Sequence, residues 1–167
     1  GKFDEAEGCY DRVLAETVLS PVDRLRLLHK LGGIRQRRGN TQAAHDSFEG
    51  ALKLLDRVDD IEEHLHVYNE LAAFHLFRGE LSQSATFANR GLEILGSIAA
   101  NLSKEAHAYH SLNFHSAAGN ILLRQFEYQR APKEFLHGLE LAEKIRSLSN
   151  AARILNNLGI AYHQANR

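Results

Sequence analysis

Short blocks of this chain echo one another at intervals near 40 residues, and a chain patterned that way folds by stacking like on like. Leu31-Gly32 is followed by Gly39, Ala44, Phe48 and Ala51, and Leu71-Ala72 by Gly79, Ser84, Ala88 and Gly91. Leu158-Gly159 with Tyr162 opens a further block. Counted on leucines, the steps are 40 residues from Leu31 to Leu71, 41 from Leu71 to Leu112 and 46 from Leu112 to Leu158. Gly50-Ala51-Leu52, Gly91-Leu92-Glu93 and Gly138-Leu139-Glu140 mark a second, parallel ruler. A period of this length is one supersecondary unit repeated, each copy burying its apolar face on the next.

Within a block the unit is helical. Alternating β-branched runs are absent, Leu, Ala, Glu, Gln and Arg fill most segments, and apolar residues recur at three and four, as in Ala6, Tyr10, Val13 and Leu14. The chain therefore reads as all-α, with about eight helices near 3–19, 21–38, 41–57, 60–78, 81–97, 104–127, 131–148 and 151–165. Ser20-Pro21 has the form of an N-cap with proline at the first helical position, and Asp59-x-x-Glu62 that of a capping box. Asn101 and Ser103 can each cap the sixth helix, and Ala131-Pro132 marks a start near 131. Gly39 and Gly79 suit left-handed helix ends. The third block is about five residues longer, and Arg124 to Arg130 suits either a longer helix or a loop.

Helix pairs with Leu-Gly in the first helix, Gly at the turn and Ala…Phe…Ala in the second resemble the tetratricopeptide repeat. Leu31, Gly32, Gly39, Ala44, Phe48 and Ala51 carry the resemblance best, with Leu158, Gly159 and Tyr162 in the last block and Gly1, Ala6, Tyr10 and Val13 as the second half of a first one. It implies a right-handed α-solenoid of antiparallel helix pairs. Its parts are a second helix at 1–20, repeats at 21–58 and 59–99, a longer repeat at 100–149 and a first helix at 150–167. A spacing near 40 looks like the longer-helix subclass of bacterial regulatory domains and eukaryotic adaptor proteins. Half-repeats at both ends suggest a fragment of a longer protein, since solenoid ends normally carry a polar cap.

In such a superhelix the first helix of each pair lines the concave face. The family pattern places Arg26, His29, Gly33 and Gln36 there, then His66, Asn69, Ala73 and Leu76, then His107, His110, Phe114 and Ala117, then Arg153, Asn156, Ile160 and His163. Spacings of three and four put each set on one helix face. Asn69 and Asn156 can hold the backbone of an extended peptide, Arg26 and Arg153 can meet carboxylates, and Phe114, Leu76 and Ile160 offer apolar contact. The chaperone-adaptor clamp for a C-terminal carboxylate does not carry over, because His29 and Gly33 stand where Lys and Asn are needed.

Charge and composition narrow the function further. With 20 Lys and Arg against 21 Asp and Glu, the net charge of −1 lacks the basic excess of a nucleic-acid binder. One cysteine, Cys9, allows no internal disulfide and no cysteine-based zinc cluster. No apolar run is long enough to span a membrane. His107 and His110 share a face and with His66 are the best metal candidates, yet solvent-facing histidines are common on helices, and no metal or cofactor is expected. Glu63-His64 lacks the zinc-protease continuation, and Gly32-Gly33 lies in a helical pattern without a phosphate-loop context. Arg35, Arg37 and Arg38 close the second helix, where positive charge suits the helix end or an acidic partner segment.

The expectation is a cytoplasmic, non-enzymatic module that binds a peptide or partner domain, acidic or partly apolar, in its groove. The alternative is a sensory or autoregulatory segment of a signalling protein or transcription activator. Contact with nucleic acid or membrane is not expected, and exposed repeat ends leave room for self-association.

Overall fold

Four helices of this chain stop in the same way, and that shared stop sets the repeat. Gly39 and Gly79, both at φ 79°, Phe126 at 64° and Arg146 at 54° each occupy the left-handed region just past a helix. The next N–H reaches back five residues in every case: Asn40 to Arg35, Glu80 to His75, Glu127 to Leu122 and Ser147 to Ala142, at 2.8–3.0 Å. These are Schellman closures, which satisfy carbonyls that a helix end otherwise leaves bare.

The computed structural model describes residues 2–16, 18–98 and 102–166. Among them run eight α-helices and one 3-10 turn: α1 Lys2–Glu16, α2 Pro21–Arg37, α3 Thr41–Leu52, the turn Leu55–Arg57, α4 Ile61–Arg78, α5 Leu81–Ile98, α6 Lys104–Arg124, α7 Ala131–Lys144 and α8 Leu148–Ala165. None of these helices is long and apolar enough to cross a membrane. The third helix is shorter than the sequence suggests, because the chain tightens into the 3-10 turn that buries Leu55. Residues 125–130 form the turn between α6 and α7. The seventh helix stops at Lys144 rather than 148 because Arg146 turns left-handed, and that frees Leu148 to open α8.

Starts follow the side-chain caps. Ser20 Oγ accepts from Asp23 N–H at 3.2 Å, and Ser103 Oγ from Ala106 N–H at 3.0 Å. At the start of α4 the capping bond goes to Asp60, whose carboxylate accepts from Glu62 N–H at 3.1 Å, one residue beyond the expected Asp59. Asn101, the other candidate cap of α6, lies outside the described residues.

The structure corrects the repeat ruler. A Cβ on Gly32 would lie 2.6 Å from the Phe48 ring, and one on Gly119 2.6 Å from the Phe135 ring. Both rings are wholly buried and sit sixteen residues after their glycine, so Gly119 corresponds to Gly32. Phe126 falls seven residues after Gly119, as Gly39 does after Gly32 and Gly79 after Ala72. The repeat marks are then Gly32, Ala72, Gly119 and Gly159, spaced 40, 47 and 40. The extra length therefore precedes Gly119, in the longer α5 and α6, and not in residues 124–130.

The chain forms two compact units, Gly1–Glu70 and Leu71–Arg167. In the first, α3 closes on α2 around Leu25, Leu31, Ala44, Phe48 and Ala51, all essentially buried. Arg35 ties α1 to this pair, donating to Glu7 at 3.0 Å, Asp11 at 2.7 Å and Ser47 at 2.8 Å, while Arg38 pairs with Asp4 and Glu7. The acidic segment that meets the basic end of α2 is thus the chain's own α1. In the second unit Leu112, Ala131, Phe135, Ala142, Ile154 and Ala161 make the core joining α6, α7 and α8.

Phe126 is unusual. A bulky side chain at φ 64° is strained, and its ring is 76% exposed, so little packing offsets the strain. Phe126→Gly is expected to stabilise the protein by about 1 kcal/mol, the left-handed cost removed less the extra chain entropy of glycine. Urea unfolding checks this, and an unchanged or lowered midpoint would show that the ring's contacts outweigh the strain.

Candidate interaction surface

On the α2–α4 side of the first unit, three of the expected residues come together, around a carboxylate of the chain's own. Arg26 donates to Glu63 at 2.5 Å and to Asp60 at 3.1 Å. His29 is buried, its Nε2 3.5 Å from the other Glu63 oxygen, and its ring stacks on His66 with centroids 5.9 Å apart and planes within 4°. Burial pushes the His29 imidazole down to about 4, aided by the His66 and Lys30 charges and opposed by Glu63. The Arg26 guanidinium is held more firmly protonated by its hydrogen bond to Glu63. Arg26, expected to meet a partner's carboxylate, therefore meets two of its own. Glu63 is the residue that reading the acidic helix start as a charge cluster overlooked; Glu63-x-x-His66 places it on the face of His66. Further along, burial raises the Glu70 carboxyl above the usual range against the pull of Arg37. Gln36 and Asn69 are half-buried.

In the second unit the expected set divides. Leu76 and His107 are half-buried, whereas His110 and Phe114 are wholly buried. Phe114 belongs to the core: its ring lies where a Cβ on Gly91 would sit, so it seals the α5–α6 crossing and offers no ligand contact. The register explains the error. With Gly119 aligned on Gly32, the places of Arg26, His29 and Gly33 fall to Asn113, Ser116 and Asn120, six residues further along α6 than the leucine ruler puts them. Asn120 is well fixed. Its amide donates to the Ser116 carbonyl at 2.9 Å and its oxygen accepts from Asn157 of α8 at 2.9 Å. On α8, Arg153, Asn156, Ile160 and His163 are all exposed on one face as expected, with Arg153 donating to Asn150 at 3.1 Å.

A second surface escaped the sequence reading. A cavity of about 420 Å³ opens between α5, α6 and α7. Ala85, Ala88, Leu92, Ala118, Ile121 and Leu122 wall it, and Asn89, His115, Gln125, Arg130 and Glu134 rim it. Small residues make the hollow: Ala85 and Ala88, three apart on α5, face Ala118 on α6. His115 Nδ1 lies 2.7 Å from the Glu134 carboxylate and packs edge to face on His137, centroids 4.2 Å apart. Burial and the His115 charge push the His137 imidazole below its ordinary value. Apolar walls with amide and guanidinium groups on the rim suit recognition of a side chain and its backbone.

No protein-family model and no curated protein matches this chain. Solved structures similar in fold include the following two. The apo form of RapI is 22% identical with a TM-score of 0.70 over 84% of this chain, and BtubC (BKLC) from P. vanneervenii is 18% identical with a TM-score of 0.71 over 98%. The chain spans about half (49%) of the RapI chain and 64% of BtubC. The fold is thus an all-α, tetratricopeptide-like solenoid of antiparallel helix pairs.

Proposed function

We propose that this chain is a protein-interaction module that holds an extended peptide or a partner domain along the first-helix face of its second unit. One observation carries the reading: the Asn120–Asn157 amide pair is fixed at 2.9 Å beside an exposed α8 face of Arg153, Asn156, Ile160 and His163. Amides oriented by the fold can bind peptide backbone with little ordering cost, Arg153 supplies a site for a carboxylate, and Ile160 gives apolar contact. The partner is then partly apolar and bears acidic groups. The solenoid class of RapI and BtubC supports a binding role.

The cavity between α5, α6 and α7 supports a second reading, in which a single apolar side chain of the partner anchors there and Arg130 and Gln125 hold what flanks it. The two readings separate cleanly. Selection of bound peptides from a random library is expected to yield ligands whose affinity falls at least about tenfold on Arg153→Ala with Asn156→Ala, roughly the loss of one charged hydrogen-bond pair. The same ligands are expected to tolerate Ala118→Phe, which fills the cavity. The reverse pattern would move the site to the cavity, and ligands indifferent to both would refute the two readings together.

Because the chain spans about half of the RapI chain, the partner also fits a neighbouring domain of one parent protein, which is the sensory or autoregulatory reading. Repeat marks 40 residues apart, Gly32 to Ala72 and Gly119 to Gly159, support the longer-period subclass. The exposed single thiol of Cys9 suits a reducing compartment such as the cytoplasm.

A further inference from the structure

The α8 helix presents a face that every comparable helix in the structure has covered. Gly32 on α2 receives the Phe48 ring of α3, and Gly119 on α6 receives the Phe135 ring of α7. Gly159, in the same place on α8, has nothing within 4 Å of where its Cβ would be. The neighbours agree. Leu25, the counterpart of Ala152, is wholly buried while Ala152 is exposed, and Leu28 packs where a Cβ on Gly50 would sit 3.3 Å away. Leu155, the counterpart of Leu28, is 52% exposed and Tyr162 47%. Ala152, Leu155, Gly159 and Tyr162 recur at three and four, so they form one uncovered stripe.

The α1 helix carries the matching half. Ala6, Tyr10 and Val13 have the spacing of Ala44, Phe48 and Ala51 on α3 and of Ala131, Phe135 and Gly138 on α7. On those helices the alanine and the aromatic ring are wholly buried, whereas Ala6 and Tyr10 are half-buried and Val13 is 40% exposed. The chain thus bears an aromatic knob of the kind that fills a repeat glycine, and a repeat glycine with no knob in it. Charge selects the same pairing. No acidic residue lies between 148 and 165, where Arg153 and His163 stand, while the start of α1 bears Glu5 beside Asp4, Glu7 and Asp11, the last three already paired with Arg35 and Arg38 of α2. An α8–α8 pairing would set like charges together.

We propose that the α8 stripe is a docking surface for α1 of a second copy of this chain, with Tyr10 seated over Gly159. The pair reproduces the α2–α3 packing between molecules. Because the two faces differ, the contact is heterologous and does not close on itself, so copies add head to tail. This inference is separable from the peptide-binding reading, since the contact centres on the Leu155–Gly159–Tyr162 stripe and its test leaves Arg153 and Asn156 unchanged.

Sedimentation equilibrium over a concentration series tests it, with two variants that each block one face. Gly159→Phe fills the slot on α8, where there is open space and no strain on folding; Tyr10→Glu spoils the knob on α1, with Val13→Glu as the second choice if Tyr10→Glu lowers helicity. The native chain is expected to show a weight-average mass that climbs with concentration past two chains of 18.7 kDa. Either variant alone is expected to stay at one chain. Mixed together they are expected to form a heterodimer and stop there, since Tyr10→Glu keeps its slot and Gly159→Phe keeps its knob. Dimerisation of Tyr10→Glu alone would overturn the proposal in favour of a symmetric α8 contact. A native chain that stays single throughout would overturn it too, leaving the stripe to a helix of another source.

Discussion

Gly91→Ala lowers stability by about 2 kcal/mol, in the range for overpacking a close crossing, while Gly96→Ala in the same helix raises it by up to about 1 kcal/mol. Both glycines lie in α5, so the intrinsic gain of replacing glycine by alanine in a helix is common to the two. Their surroundings differ. A Cβ on Gly96 meets nothing within 4 Å, whereas a Cβ on Gly91 would overlap the wholly buried ring of Phe114. That ring has nowhere to retreat, since interiors are close-packed and Phe114 is sealed on its other sides as well. Phe114→Ala alone is expected to cost about 3–5 kcal/mol as a large-to-small core change. Combined with Gly91→Ala it is expected to cost clearly less than the sum, because deleting the ring removes the clash the methyl would make. Urea unfolding of the four proteins reads the cycle. Additive losses, or a Gly91→Ala protein stabilised as much as Gly96→Ala, would mean that α5 and α6 do not cross at this glycine.

The same crossing shows where the sequence was legible and where it was not. Helix pairs, their capping serines and the glycine stops at 39 and 79 are local features, set by propensity and by a few side-chain bonds, and they read directly. Register along α6 is not local. With Gly119 aligned on Gly32 the leucine place falls to Ala118, so a ruler built on leucine slides back six residues to Leu112, the buried counterpart of Leu25. The choice falls to Gly119 because Phe135 comes sixteen residues later, as Phe48 comes after Gly32, and this glycine–ring pairing is visible in the sequence once both members are counted. The slip carried Phe114 and His110 onto a binding face and passed over Asn113 and Asn120. Phe126 hid the true turn in a similar way, since a phenylalanine does not announce a left-handed stop. On α8, where the ruler held, Arg153, Asn156, Ile160 and His163 are exposed together as read. The engagement of Arg26 by Glu63 and Asp60 depends on how α4 packs beside α2, which no spacing within one helix encodes.

That packing carries a pH dependence. As pH falls from 6.5 toward about 4, the native protein is expected to lose stability on the order of 3 kcal/mol through His29, and His29→Gln is expected not to lose it. In the unfolded chain the imidazole takes up its proton near its ordinary value of 6.5, whereas in the fold burial holds that proton off until about 4. Between those values the unfolded state binds more protons, so acid favours unfolding; the contribution is complete above pH 6.5 and gone below 4. The surrounding charges fix the size of the effect. Glu63 attracts the charged form and His66, Lys30 and the loss of water oppose it, with burial the largest of these. Glu70 acts with the other sign, since a buried carboxyl held above its usual range is most favourable when protonated and costs stability as pH rises. Whole-protein curves therefore mix opposing slopes, and the informative quantity is the difference between native and His29→Gln measured at each pH in the same buffer. Glutamine is polar, close in size to the imidazole and does not titrate, so that difference isolates the proton. Curves that run parallel from pH 7 to 4 would show that His29 takes its proton in the fold as readily as in water, and that the cluster around Glu63 is open to solvent.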